Sequence, residues 1–384
     1  MQLEDPSHAA TGTHSRVRYD SLTLWRGLAC LLVVVYHSAR SPLQETSGAT
    51  AVIFAILGKC WIGVPLFFVI SGYCVIASAD ALRAESGAAK RFFWRRFRRI
   101  YPPYWAALAM TALFAWLTEK FLPEAYFQSL GVPPPQSLTG WQWLGNFSLT
   151  ETWRWHLTGG SENPLLPPSW TLCFEEQFYF LTGLALAATR RFLFHALTLV
   201  TLIVTFLVLF PLRTLRTEGL FLDGQWLMFA SGVLVYHVSN DVPTRTKAWC
   251  CLPLVAGIMW AVPDLRELRL PSNQGYLAAF SFALLIIGLK RWDAVAYGLR
   301  MLSPLRSLGL MCYSLYLVHW PVVRLVGHAV DSSGADTPMG ILLLRIPCCV
   351  GMTILLGSWF HRFIERRFWN PGFSQSATET SRVV

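Results

Sequence analysis

An arginine and a histidine eleven residues apart, inside an otherwise apolar stretch, are the first pair in this sequence whose spacing bears on chemistry. The stretch reads LTLWRGLACLLVVVYHSAR. At 100° per residue, Arg26 and His37 fall on one helix face, about 16 Å apart along the axis. An arginine buried in such a segment is costly and marks a cavity, a partner or a pathway. Alone, His37 would also fit a hydrogen-bonded packing role. On the same stripe as a buried arginine, it is a candidate general base.

Two adjacent carboxylates, Glu175 and Glu176, lie in SWTLCFEEQFYF, about 9 Å into a second apolar segment. They point about 100° apart, so only one can face a given neighbour. A carboxylate beside a histidine fixes its tautomer and stabilises the imidazolium, an arrangement suited to acyl transfer onto a hydroxyl. The run RFFWRRFRRIYPPYW interleaves arginines with aromatics. In a helix its Arg96 and Arg99 share a face, where paired guanidiniums can grip phosphate. The competing reading is a positive anchor against anionic headgroups. Ser71-Gly72 suits close helix packing. Ser71, Tyr179 and His319 are further candidates for a substrate cavity, with helix packing the alternative for His319. No metal site is expected, because no Cys or His spacing of the zinc type occurs.

These groups sit in apolar blocks of about 20 residues, the length a helix needs to cross a ~30 Å hydrocarbon core. The chain is 54% hydrophobic and 14% charged, against roughly 25% charged in soluble domains. The fold class predicted is therefore all-α, a polytopic transmembrane helix bundle of about ten spans. Spans are placed at 22–39, 60–80, 101–119, 170–189, 192–212, 220–238, 249–264, 273–290, 305–328 and 339–361. That gives a cytoplasmic tail at 1–21, a transmembrane domain at 22–361 and a second cytoplasmic tail at 362–384. The short final tail argues against an appended soluble domain, and the polar first 18 residues argue against a cleaved signal peptide. The connection over 120–168, rich in tryptophan, is expected to be an interfacially anchored loop, with an acceptor platform as the sharper reading.

Charge placement orients the bundle. With the N-terminus inside, 21 of the 32 Lys and Arg fall in cytoplasmic segments, Arg16, Arg18 and Arg245 among them, and 10 fall outside. The excess favours both termini inside. It also accounts for the net charge of +10 without a nucleic-acid partner. The nine cysteines lie mostly within or beside apolar blocks and read as small buried hydrophobes.

Six segments together resemble the membrane-bound acyltransferase family 3: WRGLACLLVVVYH, GVPLFFVISGY, RRFRRIYPPY, SWTLCFEEQFYF, YSLYLVHWPV and FIERRF. They occur in the family's order across nearly the whole chain. The resemblance implies ten or eleven spans, a cytoplasmic acyl-CoA donor and an acceptor on the far side. It implies a catalytic role for His37, a partner role for Arg26, donor binding by Arg96 and Arg99, and an essential acid at Glu175. Thr171 stands where the family often has serine, which keeps the hydroxyl.

The function expected is an O-acyltransferase, most simply an O-acetyltransferase using acetyl-CoA. Its acceptor would be a saccharide or glycolipid of the cell envelope, and its location a bacterial cytoplasmic (inner) membrane. His37 would be either general base or covalent acyl carrier. A small-molecule acceptor, such as a secondary metabolite, is the first alternative. A proton-coupled transporter using Arg26, His37 and Glu175 is the second.

Overall fold

Helix is the only regular structure among the described residues, which are 19–40, 48–210, 219–221, 223–240, 242–243, 246–267 and 271–368 of this computed structural model. The apolar blocks impose this outcome, since a helix satisfies every backbone N–H and C=O within its own segment where no water is available. The tails expected at 1–21 and 362–384 lie largely outside the described residues, as do Arg16, Arg18 and Arg245.

The chain begins with Leu22–Ala39 (α1), Gly48–Leu57 (α2), Gly63–Leu82 (α3) and the 34-residue Ala88–Phe121 (α4). Three short helices follow: Glu124–Leu130 (α5), Gly140–Ser148 (α6) and Glu151–Thr158 (α7). Trp170–Ala188 (α8), Leu193–Leu209 (α9) and Gln225–Asn240 (α10) come next, then Lys247–Cys250 (α11), Leu252–Glu267 (α12) and Pro271–Leu289 (α13). The chain continues through Asp293–Gly298 (α14), Ser303–Leu310 (α15), Cys312–Val330 (α16), Pro338–Gly340 (α17) and Ile346–Phe363 (α18).

Among the described residues, each stretch read as a span is largely helical, in one helix or in two or more successive pieces. By length and composition, Leu22–Ala39, Gly48–Leu82 and Pro338–Phe368 can each cross a membrane. The bent pair Arg300–Leu310 and Cys312–Ala335 makes a fourth if it counts as one span. Leu193–Leu209 and Lys247–Val262 are apolar but shorter. In α8 the polar triplet Glu175-Glu176-Gln177 lowers the mean hydropathy of an otherwise apolar helix.

Two expectations need correction. The stretch 305–328 is not one helix: α15 and α16 meet at 72°. Backbone packing explains the bend. A Cβ on Gly309 would sit 1.8 Å from the Thr23 carbonyl oxygen, and one on Gly27 2.0 Å from that of Leu305. The α15 backbone is thus laid directly across the start of α1, and the chain must turn before running along it. The connection over 120–168, expected as an interfacially anchored loop, is instead largely helical, in α5, α6 and α7. Its α6–α7 hairpin extends down α4, where Tyr104 donates to the Asn146 carbonyl (2.7 Å), Trp105 to Phe147 (2.9 Å) and Tyr101 to Ser148 (3.3 Å). Tyr101 lies about 30 Å of helix rise from the Phe121 end of α4.

Polar bonding makes that descent possible. Glu151 and Arg154 form a buried two-pronged ion pair, Nε to Oε2 at 2.9 Å and Nη2 to Oε1 at 3.1 Å. Asn146 takes the Leu165 N–H on its Oδ1 and donates to the Asn163 carbonyl. Trp141, Leu144 and Phe147 stay exposed and suit a lipid environment.

The core runs through α3, which packs on α1, α8, α10 and α13. Its contact with α10 is backbone to backbone. A Cβ on Gly72 would lie 2.1 Å from the Phe229 carbonyl oxygen, and one on Gly232 1.9 Å from that of Val69. The small pair Ser71-Gly72 thus divides its tasks, Gly72 packing on α10 while Ser71 faces the site.

Candidate active site

Five helices wall a narrow cavity of about 120 Å³. Arg26 enters from α1, Ser71 and Cys74 from α3, Arg96 and Arg99 from α4, Glu175 and Tyr179 from α8, and Tyr313 and Tyr316 from α16. Six of the eight residues singled out by sequence therefore meet in one space: Arg26, Ser71, Arg96, Arg99, Glu175 and Tyr179. Their segments are separated by up to about 150 positions in the chain, so only tertiary packing assembles them.

Glu175 is held from two sides. Its Oε1 accepts the Ser71 hydroxyl from α3 and the Tyr179 hydroxyl, one turn along α8, at 2.5 Å. The Arg96 guanidinium lies over the Tyr179 ring at 5.1 Å and over Phe92 at 5.6 Å, and it donates to the Cys74 carbonyl at 3.3 Å. A guanidinium clamped between two rings keeps most of its N–H fork available in a fixed direction. Arg26 donates to the Cys74 sulfur at 2.9 Å. One carboxylate and three guanidiniums thus share the cavity, which leaves it positive and suited to an anionic ligand. Arg91 and Arg95, from the same basic run, are exposed and do not line it.

Glu176 faces a different compartment. Its Oε2 accepts the Tyr101 hydroxyl at 3.3 Å, and its Oε1 is buried without a partner. The 100° turn expected between the two acids is therefore real, yet both are drawn inward, one to the cavity and one to α4 beside the α6–α7 hairpin.

His37 and His319 lie together beyond the cavity. Val33 and Tyr316 line its end, and the histidines follow one turn later on α1 and α16. Their ring centres are 5.4 Å apart, and Trp320 meets His37 edge-on at 5.2 Å. No carboxylate hydrogen-bonds to His37 among the described residues. The Glu175 expected to serve it bonds Ser71 and Tyr179 instead. Sequence reasoning also passed over Cys74, Tyr313 and Tyr316. The signal was available, because Tyr313, Tyr316 and His319 recur every three residues on one helix face. Thr171, the departure from the family pattern, pairs its hydroxyl with Tyr316 Oη at 3.0 Å, so the retained oxygen has a use in the wall.

Residues 19–362 match a family model described as an acyltransferase domain. The chain belongs to acyltransferase family 3. It is 23% identical to the peptidoglycan O-acetyltransferase OatA of Listeria monocytogenes, over 94% of this chain and 58% of that protein. The putative peptidoglycan O-acetyltransferase YrhL of Bacillus subtilis is 24% identical, over 91% of this chain and 54% of its own length. The chain thus spans little more than half the length of these two curated relatives. The acyltransferase MdmB of Streptomyces mycarofaciens is 24% identical over 91% of both chains. No solved structure matches significantly.

Proposed function

We propose that this member of acyltransferase family 3 is a membrane O-acyltransferase, most simply an O-acetyltransferase, with about ten spans and both termini cytoplasmic. Its setting would be a bacterial cytoplasmic (inner) membrane. An acyl-CoA would place its phosphates at Arg96 and Arg99 from the cytoplasmic side, with its thioester directed towards His37. The acceptor would be a hydroxyl of a saccharide or glycolipid at the outer side. The observation that carries this reading is the positive cavity joining Arg96, Arg99 and Arg26 to a hydrogen-bonded Glu175, with a histidine pair beyond its far end. The names of the Listeria and Bacillus relatives support an acetyl group and an envelope saccharide.

In the reaction the acceptor oxygen bonds to the thioester carbonyl carbon, the C–S bond breaks and CoA departs as thiolate. His37 takes the hydroxyl proton. If His37 carries the acyl group itself, its ring nitrogen first bonds to the thioester carbonyl carbon as the C–S bond breaks; the acceptor oxygen then bonds to that carbon as the C–N bond breaks, and the released ring nitrogen takes the hydroxyl proton. Glu175 orders Ser71 and Tyr179, and Tyr179 in turn supports Arg96, so the carboxylate organises the donor end of the cavity rather than the histidine. A small-molecule acceptor remains the second reading. It is favoured by the Streptomyces relative, which matches along nearly its full length and whose name does not specify peptidoglycan.

The test is acyl-CoA turnover by purified protein in lipid nanodiscs. His37→Ala should lower transfer by about 10²-fold or more, the scale of general acid–base catalysis, and Glu175→Gln should also lower it, by loosening the Ser71 and Tyr179 hydroxyls that its carboxylate holds. Full activity in both variants would sink the assignment.

A further inference from the structure

His37 needs one bare nitrogen on the reacting side, whether it takes a proton or carries an acyl group. A neutral imidazole presents one reliably only when its N–H is held on the other side. A carboxylate would hold it, but Glu175 is engaged by Ser71 and Tyr179. The group that does adjoin His37 is His319, and its hydrogen-bonding state can be worked out.

His319 is fully buried. Its Nδ1 lies 2.6 Å from the Tyr316 carbonyl oxygen. A carbonyl only accepts, so Nδ1 carries the hydrogen and Nε2 of the neutral ring is a bare lone pair. That Nε2 is buried with no hydrogen-bond partner, an unusual condition that calls for an explanation. The ring centre is 5.4 Å from that of His37, a separation at which facing ring edges approach hydrogen-bonding reach. The two rings are inclined at 37°, so a bond between them requires the His37 side chain to turn its N–H towards Nε2, and catalytic hydrogen bonds are often long before ligands bind.

We infer that His319 is the positioning residue of His37, accepting its ring N–H at Nε2 where a soluble enzyme would use a carboxylate. The inference rests on the reading of His37 as the reacting histidine. The arrangement holds in either role of His37. The N–H stays on His37, its opposite nitrogen receives the hydroxyl proton or the acyl carbon, and His319 keeps its own hydrogen on the Tyr316 carbonyl. No proton passes through His319. A neutral acceptor also avoids placing another charge in the membrane interior, where charge is expensive.

Two measurements test this in nanodiscs. The first is side-chain ¹⁵N NMR of histidine-labelled protein, with His37→Ala and His319→Phe samples to assign the signals. His319 should appear as the Nδ1–H tautomer and His37 as a single tautomer, and His319→Phe should release His37 into a mixture of both. A tautomer mixture at His37 in the unaltered protein, or no response to His319→Phe, overturns the inference without reference to activity. The second is kinetics. His319→Phe should lower kcat by about 10²-fold or more at near-constant KM for acyl-CoA, and His319→Gln, which restores an acceptor near Nε2, should recover at least about tenfold of that loss. The His37→Ala/His319→Phe double variant should be no slower than His37→Ala alone, because the two act as one unit. Additive losses, or a KM effect without a kcat effect, would assign His319 to packing. If His37→Ala keeps its activity, the proposed function fails, while the NMR result still decides the pairing.

Discussion

Arg96 and Arg95 are neighbours in sequence with the same charge, yet the structure separates them, and that separation supports a sharp prediction. Arg96 lines the cavity, clamped between Phe92 and Tyr179, whereas Arg95 is exposed outside it. If the cavity takes the phosphates of the donor, Arg96→Ala removes charge-assisted hydrogen bonds worth about 1.5–3 kcal/mol. That corresponds to a rise of about 10- to 150-fold in the dissociation constant for acyl-CoA. Arg99→Ala should act in the same direction, since Arg99 also lines the cavity. Arg96→Lys should fall between, because a lysine keeps the charge but loses the planar stack and the fork. Arg95→Ala should change affinity by less than about twofold beyond the general screening effect of one exposed charge. Calorimetric titration of CoA into nanodiscs at two salt concentrations measures all four. Equal losses for Arg95→Ala and Arg96→Ala would show that only bulk positive charge matters. Unchanged affinity in an Arg96→Ala/Arg99→Ala protein that inserts normally would remove the donor site altogether.

Two further outcomes follow from the same geometry. Cys74 lines the cavity beside Arg26, so saturating acyl-CoA should slow its alkylation by a maleimide at least several-fold while exposed Cys348 reacts at an unchanged rate. Peptide mass spectrometry distinguishes the two sites, and equal labelling of Cys74 with and without the donor would contradict the proposed path. Arg154→Ala leaves Glu151 charged and buried inside the α6–α7 hairpin, which should cost about 3–5 kcal/mol. It should therefore lower the thermal midpoint in detergent, and an unshifted midpoint would mean that the hairpin is not held by this pair.

Much of this protein is determined by sequence alone, for a physical reason. In a membrane the backbone has few choices, so blocks of apolar residues of sufficient length become helices whatever their neighbours do. Each stretch read as a span is accordingly largely helical among the described residues, and three of them, or four counting the bent pair, lie in helices long and apolar enough to cross a membrane. Period then places side chains along one helix: Arg26 below His37, Arg96 with Arg99, and Glu175 turned away from Glu176. The ordered motifs add the family, which the match over residues 19–362 establishes.

What period cannot supply is the rotation of one helix against another, or the depth to which a connection descends. Those depend on contacts between distant segments, such as Gly72 against Phe229 and Gly309 against Thr23. They decide that α15 and α16 bend apart, and that a tryptophan-rich connection folds down beside α4. They also decide the partners in the site. From sequence, Glu175 and His37 form a natural acid–base pair at similar depth. In the structure α3 and α8 close around Glu175 and give it Ser71 and Tyr179, while α16 brings His319 to His37. Residue type and spacing therefore specify which groups can react, and the packing of α1, α3, α8 and α16 specifies which of them touch.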